Sequence, residues 1–238
     1  MHITDKIYNV QWYDFDKPLE LEKMKIYDDI FALAVLRYCY PEIYNHFIKD
    51  ESPDLQKDDR TQGVEVTSAR NEIIASIDGN FANYRLTDNS AKQARLKTKI
   101  EKAGAKLDSI GILYPKVTEQ QEIEAIEQSI QKKISKLSNY QKKGFTKMEL
   151  IVRCPSPPCI LNKDIYIELM SKAKGYDTVY LTTHSCLMVY HHVDKYLSIK
   201  KIPEKDYIAL EAIARLTVDG KIKPDNSIWE TPVYNKNN

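Results

Sequence analysis

The chain has 238 residues, of which 42% are hydrophobic and 29% charged, enough to bury one substantial core and too apolar for a disordered segment. Thirty-five lysines and arginines stand against 34 aspartates and glutamates, a formal charge of +1 that excludes a polycation or polyanion but conceals local clusters. No apolar run approaches the roughly 20 residues that span a bilayer, and the amino terminus lacks the tripartite pattern of a secretory signal; a cytoplasmic protein with no membrane partner is expected.

The first twenty residues show no clear period and read as irregular or edge structure. From about 19 to 40, Leu21, Met24, Ile30, Phe31, Ala34, Val35 and Tyr38 recur at helical spacing, and Pro41 stops the run. Residues around Asp54 and from 63 to 67 then read as two short strands, with Lys57-Asp58-Asp59-Arg60 as the turn of a hairpin. From 70 to about 84 and from 90 to about 105 the pattern is helical and polar, punctuated by Gly79, Gly104 and Gly111, which predicts a helical insertion at about 70–117. Thr118-Glu119-Gln120-Gln121 has the form of a capping box, and Ile123, Ile126, Ile130, Ile134 and Leu137 continue it as one apolar stripe. A buried strand over 148–153, a helix from about 162 to 173 ended by Gly175, and strands over 179–181 and 187–190 follow. Residues 208–216 make a last helix within a C-terminal extension that starts near 203, and the tail after Asp219 is poorly ordered unless Trp229 docks it. This order is that of a single mixed α/β domain over 1–238.

The cysteines, Cys39, Cys154, Cys159 and Cys186, lie in apolar segments or beside prolines and read as reduced thiols. A zinc site drawn from Cys154, Cys159 and His184, His191 or His192 lacks a matching second cysteine pair. Two basic runs stand out: Lys92, Arg95, Lys97, Lys99, Lys102 and Lys106, then Lys132, Lys133, Lys136, Lys142, Lys143 and Lys147. Each is either a solvated helix face or a surface that releases counterions from nucleic acid.

Chemistry concentrates at Pro53-Asp54 and Gly63-Val64-Glu65-Val66-Thr67. Taken singly, Asp54 is a turn residue and Glu65 a solvent-facing strand residue. Together they offer two hard oxygen donors to one magnesium or manganese ion, with the Val66 carbonyl as a further ligand. Alternation sends Val64 and Val66 to one face and Glu65 and Thr67 to the other. A metal held there polarises a phosphoryl oxygen and lowers the pKa of a bound water, the requirements of phosphodiester hydrolysis.

From about 26 to 191, the pair Pro53-Asp54 and Glu65-Val66-Thr67, with a helix before it and helix, strand, helix and strand after it, resembles the PD-(D/E)xK nuclease superfamily. That resemblance implies a restriction-endonuclease-like mixed sheet flanked by helices, and magnesium- or manganese-dependent cleavage of DNA or, second, RNA. A role in defence by phage or mobile elements, or against them, is a family-level association. It assigns Asp54 and Glu65 to the metal and to catalysis. The superfamily's lysine, two residues after the second acid, is Thr67 here, so the cation must come from elsewhere. Ser129, Lys133, Lys136 and Tyr140 recur along one flank of the isoleucine stripe, which makes Lys133 the first candidate and Lys136 the second. Glu42 or Glu51 would add an acid, and Arg70, Asn71 and Glu72 follow the hairpin directly. Lys92, Arg95, Lys99 and Lys102 would grip the nucleic-acid backbone. A nuclease-like binding module without catalysis, an unrelated α/β protein with exposed acids, and a homodimer or a protein partner stay open.

Overall fold

A computed structural model describes residues 19–108, 111–155 and 162–221. The first 18 residues, Cys159 and Trp229 lie outside them. Helix α1 (Leu21–Cys39) carries a continuous buried run from Asp29 to Arg37. Pro41 does more than stop it: with its φ preset for helix, it opens a single turn, α2 (Pro41–Tyr44), at the first helical position.

Three antiparallel strands follow: β1 (Phe47–Lys49), β2 (Leu55–Lys57) and β3 (Gln62–Ser68). The expected hairpin is β2–β3, with Leu55 opposite Val64, and β1 extends it on the outside. Gly63 is required here by close approach. A Cβ at that position would collide with Pro53 Cγ and stand 3.1 Å from Met148 Sδ, so the segment that carries Asp54 lies directly against β3. Gly63→Ala is therefore expected to destabilise the fold by about 1–3 kcal/mol in urea unfolding; an unchanged midpoint would mean that this packing is looser in solution.

Between β3 and the next large helix come α3 (Glu72–Leu86), α4 (Ser90–Lys102) and a small hairpin of β4 (Lys106–Leu107) and β5 (Ile112–Leu113). Asn71 caps α3 by accepting from the N–H groups of Ile73 and Ile74, and Asn89 caps α4. Ile74, Ile77, Ile100 and Ala105 form a separate small core for this unit. Helix α5 (Glu119–Ile134) starts at the expected capping box, the Thr118 N–H donating to Gln121 Oε1 at 3.0 Å and the Gln121 N–H to Thr118 Oγ1 at 3.3 Å. The apolar stripe does not run through one helix to Leu137. The Ser135 hydroxyl bonds the Lys132 carbonyl, the chain turns, and α6 (Leu137–Lys142) begins with Lys136 as its cap residue.

The remaining elements are β6 (Lys147–Arg153), α7 (Lys163–Ser171), β7 (Thr178–Thr182), β8 (Cys186–His191), β9 (Tyr196–Lys201) and α8 (Glu204–Val218). The main strands gather in one mixed sheet of seven, in the order β1-β2-β3-β6-β7-β8-β9, with β3, β6 and β7 mutually parallel and the other pairs antiparallel. Both faces are covered, as parallel strands require. Val64, Val66, Ile151, Tyr180 and Val189 pack against α1 and α8, while Leu150, Val152, Val179 and Leu181 pack against α5 and α7. The fold is α/β, a mixed sheet flanked by helices. No helix among the described residues is long and apolar enough to cross a membrane.

Candidate active site

Strand alternation places Val64 and Val66 in the core on the α1 side, which turns Glu65 toward α5. Asp54 immediately precedes β2 and is fixed by the backbone of β3: the Val66 N–H donates to its Oδ2 at 2.8 Å. Helix α5 is pinned above them from two directions. The Ser129 hydroxyl donates to the Ser68 carbonyl at 3.1 Å, and the Tyr176 hydroxyl donates to the Lys133 carbonyl at 2.9 Å.

From the second anchor the Lys133 side chain reaches the face of the sheet where β3 presents Glu65. Its ammonium lies 3.0 Å from Asp54 Oδ2 and 2.5 Å from Glu65 Oε2. The Tyr140 hydroxyl donates to the other Glu65 oxygen. Asp54, Glu65 and Lys133 are 2%, 1% and 6% exposed, so this is a buried charge cluster rather than a surface ion pair. The expectation of two exposed, separate acids does not describe it.

Burial alone would raise the Asp54 pKa; Lys133, the Val66 N–H and Lys25 together outweigh it and hold the carboxyl below its ordinary value. For Lys133 burial acts downward, and the charges of Glu65 and Asp54 more than reverse it, so the side chain stays a cation with a raised pKa. Tyr140 is held well above the usual phenol range by burial and by its bond to Glu65. It is a neutral donor at any physiological pH.

A third buried acid, one that the sequence motifs do not single out, lies near enough to feel the charge of Asp54. Asp29 on α1 is 2% exposed, and its Oδ2 has no hydrogen-bond partner; the nearest cation, Lys49, stands 3.6 Å away. Burial first and the Asp54 charge second raise its pKa to about 7. On the same helix Lys25 lies 3.6 Å from Asp54 Oδ1. The signal is present in the helical period, since Asp29 shares a face with the buried Leu33 and Leu36, where a carboxylate is out of place.

The other candidates lie elsewhere. Lys136 is exposed and lines a groove with Ser52, Asn139, Tyr140, Lys142 and Lys143, and it pairs with neither acid among the described residues. Glu51 lines the same groove, while Glu42 is exposed in the first turn of α2. Arg70 pairs with Asp28 at 3.2 Å, Asn71 caps α3, and Glu72 is exposed in its first turn. Lys92, Arg95, Lys99 and Lys102 are carried on α4, which belongs to the separate small core, and Lys92, Arg95, Lys99 and Lys102 are all exposed there. Val66 meets Asp54 through its N–H.

Among the described residues no group of three or more His, Cys, Asp or Glu side chains is arranged to hold a metal ion. Magnesium needs fewer, because it commonly takes one or two protein carboxylates and keeps several waters. Asp54 and Glu65 supply two hard-oxygen side chains of that kind, both turned to Lys133. The donor set fits a hard divalent cation. Comparison of the chain with protein-family models, with curated proteins and with solved structures returns no match.

Proposed function

We propose that the chain is a divalent-metal-dependent nuclease of restriction-endonuclease-like fold, acting on DNA, with RNA as the second substrate to test. One observation carries the reading. Lys133 enters from α5 and contacts both acids, in the absence of a lysine two residues after Glu65. An acid pair plus a cation is the set that phosphodiester hydrolysis needs, and here two elements remote in sequence assemble it.

Asp54 and Glu65 would hold magnesium or manganese; the ion would polarise the scissile phosphate and acidify a water. The protein's own groups do the rest. Lys133, kept protonated by its two carboxylates, serves as a cation that orients the attacking water and offsets charge on the phosphate; it is not the base. Tyr140 fixes the rotamer of Glu65 by donating to one of its oxygens. The Val66 N–H does the same for Asp54. The exposed cations of α4 provide a surface for backbone phosphates away from the acid pair.

A nuclease-like binding module is the second reading, favoured by the closure of both carboxylates on the Lys133 ammonium. One assay separates the two. The purified chain is incubated with single- and double-stranded DNA and with RNA, each with magnesium, with manganese and with a chelator. Cleavage is expected only with metal, and it is expected to fall about a thousandfold or more in Asp54→Ala and in Glu65→Ala. Intact substrates under every metal condition, with salt-sensitive binding retained, would leave the binding module as the function.

A further inference from the structure

The groove beside the acid pair has a chemistry of its own. Its volume is about 530 Å³, and it runs along α6 between Lys136, Asn139, Lys142 and Lys143 on one side and Ser52 on the other. Three ammonium groups face a single carboxylate, that of Glu51. Lys136 and Lys142 make no ion pair among the described residues, whereas Lys57 and Lys172 are both paired with acids. Lys143 is tied instead to a neutral group, donating to the Ser52 hydroxyl at 2.7 Å.

The position of the groove gives this charge a purpose. Ser52 lies two residues before Asp54, and the Lys143–Ser52 bond fastens α6 to the segment that presents that acid. Tyr140 forms part of the groove wall while its hydroxyl bonds Glu65, so one side chain separates the groove from the acid pair. Among the lining residues named, Tyr140 supplies the only ring, which argues against an enclosed site for a planar metabolite. An open, cationic channel with amide and hydroxyl donors suits a polyanion passing through.

We propose that this groove is the phosphate subsite of the enzyme, holding the backbone of the substrate strand next to the scissile phosphate through Lys136, Lys142 and Lys143, with Asn139 and Ser52 as hydrogen-bond donors. The inference rests on the nuclease reading for the identity of the strand, but not for the binding. It also moves the main grip on nucleic acid from α4 to α6, and gives Lys136 a role in holding substrate rather than in the chemistry.

The test measures binding of a fluorescent single-stranded oligonucleotide to metal-free full-length protein across a salt series. The combined Lys136→Gln, Lys142→Gln, Lys143→Gln variant is expected to bind about tenfold more weakly or worse, and to lower the slope of log affinity against log salt by about 2, since each lost phosphate contact on a single strand removes roughly 0.7. The combined Lys174→Gln, Lys195→Gln, Lys201→Gln variant removes the same charge from other exposed positions and is expected to keep the wild-type slope. Without any variant, acetylation of the wild type should show Lys136, Lys142 and Lys143 protected by bound oligonucleotide and Lys174, Lys195 and Lys201 still reactive. Equal losses in the two variants, equal reactivity of the two lysine sets, or no binding by the wild type would each overturn the subsite. Loss of binding confined to the groove variant, with no cleavage by any form, would leave the subsite standing and overturn the nuclease. Cleavage with affinity and salt slope unchanged in the groove variant would do the reverse.

Discussion

Lys133→Met is expected to destabilise the metal-free protein by about 3–5 kcal/mol and to abolish metal-dependent cleavage. Methionine preserves most of the stem that crosses from α5 to β3, so the packing change is small. What disappears is the ammonium that lies 3.0 Å from Asp54 and 2.5 Å from Glu65. Two carboxylates that are 2% and 1% exposed then face one another with no cation between them, and one must take up a proton or the strand pair must open to water. Lys25 cannot replace it, being largely exposed and 3.6 Å from the far oxygen of Asp54. Adding Glu65→Gln to the variant should recover part of the loss, because only one buried charge then remains. A divalent cation should stabilise Lys133→Met more than it stabilises the wild type, since the cation enters a site from which its competitor has been removed. Urea unfolding with and without magnesium measures both effects. A loss below about 1 kcal/mol would mean that Lys133 does not neutralise the pair in solution, and the proposed assembly of the site would go with it.

The parts of this site that are legible in the chain are those written in local chemistry. The capping box at Thr118 and Gln121 sets where α5 begins, and a helix of known start and stripe assigns each side chain a direction. That direction puts Lys133 on the flank of the stripe that borders the sheet, and it is the flank residue that contacts both acids, while Tyr140 contacts Glu65 alone. Lys136 shares the spacing argument but not the outcome, because the helix breaks at Ser135 and the last turn of the stripe belongs to α6. A hydroxyl that bonds a carbonyl three residues back is too weak a signal to forecast that break. Strands β1 and β9 escape a reading of the sequence for a different reason. They are edge strands of three and six residues, and their strand character comes from pairing with β2 and β8 rather than from their own alternation. The two-residue strands β4 and β5 are smaller still. Asp29 is marked in the sequence only by its place on the apolar face of α1, and tertiary packing alone sets it near enough to Asp54 for the two charges to act on one another.

The stability of the metal-free protein is expected to fall as the pH rises from about 4 to about 7, and Asp29 is the reason. Its pKa is raised from 3.8 to about 7, first by burial, then by the charge of Asp54, with Lys49 and Lys25 opposing and Asp28 adding a little. A carboxyl with a raised folded-state pKa keeps its proton in the fold over a range where the unfolded chain has released it. Its contribution is complete below the unfolded value and is lost as pH climbs through the folded one. With about 1.36 kcal/mol for every pH unit between the unfolded and folded values, the loss amounts to about 4 kcal/mol across the window. Asp54 has the opposite sign: held below its ordinary value, it contributes above about 4 and is lost only on further acidification, so it leaves the window nearly flat. Asp29→Asn keeps the shape and removes the titration, and should therefore be markedly more stable than the wild type at pH 7.5 and nearly equal to it at pH 4.5. Urea midpoints at half-unit intervals of pH make the comparison. Parallel stability curves for the two proteins would show that Asp29 is ionised throughout, and would remove it as a third buried acid under tension with Asp54.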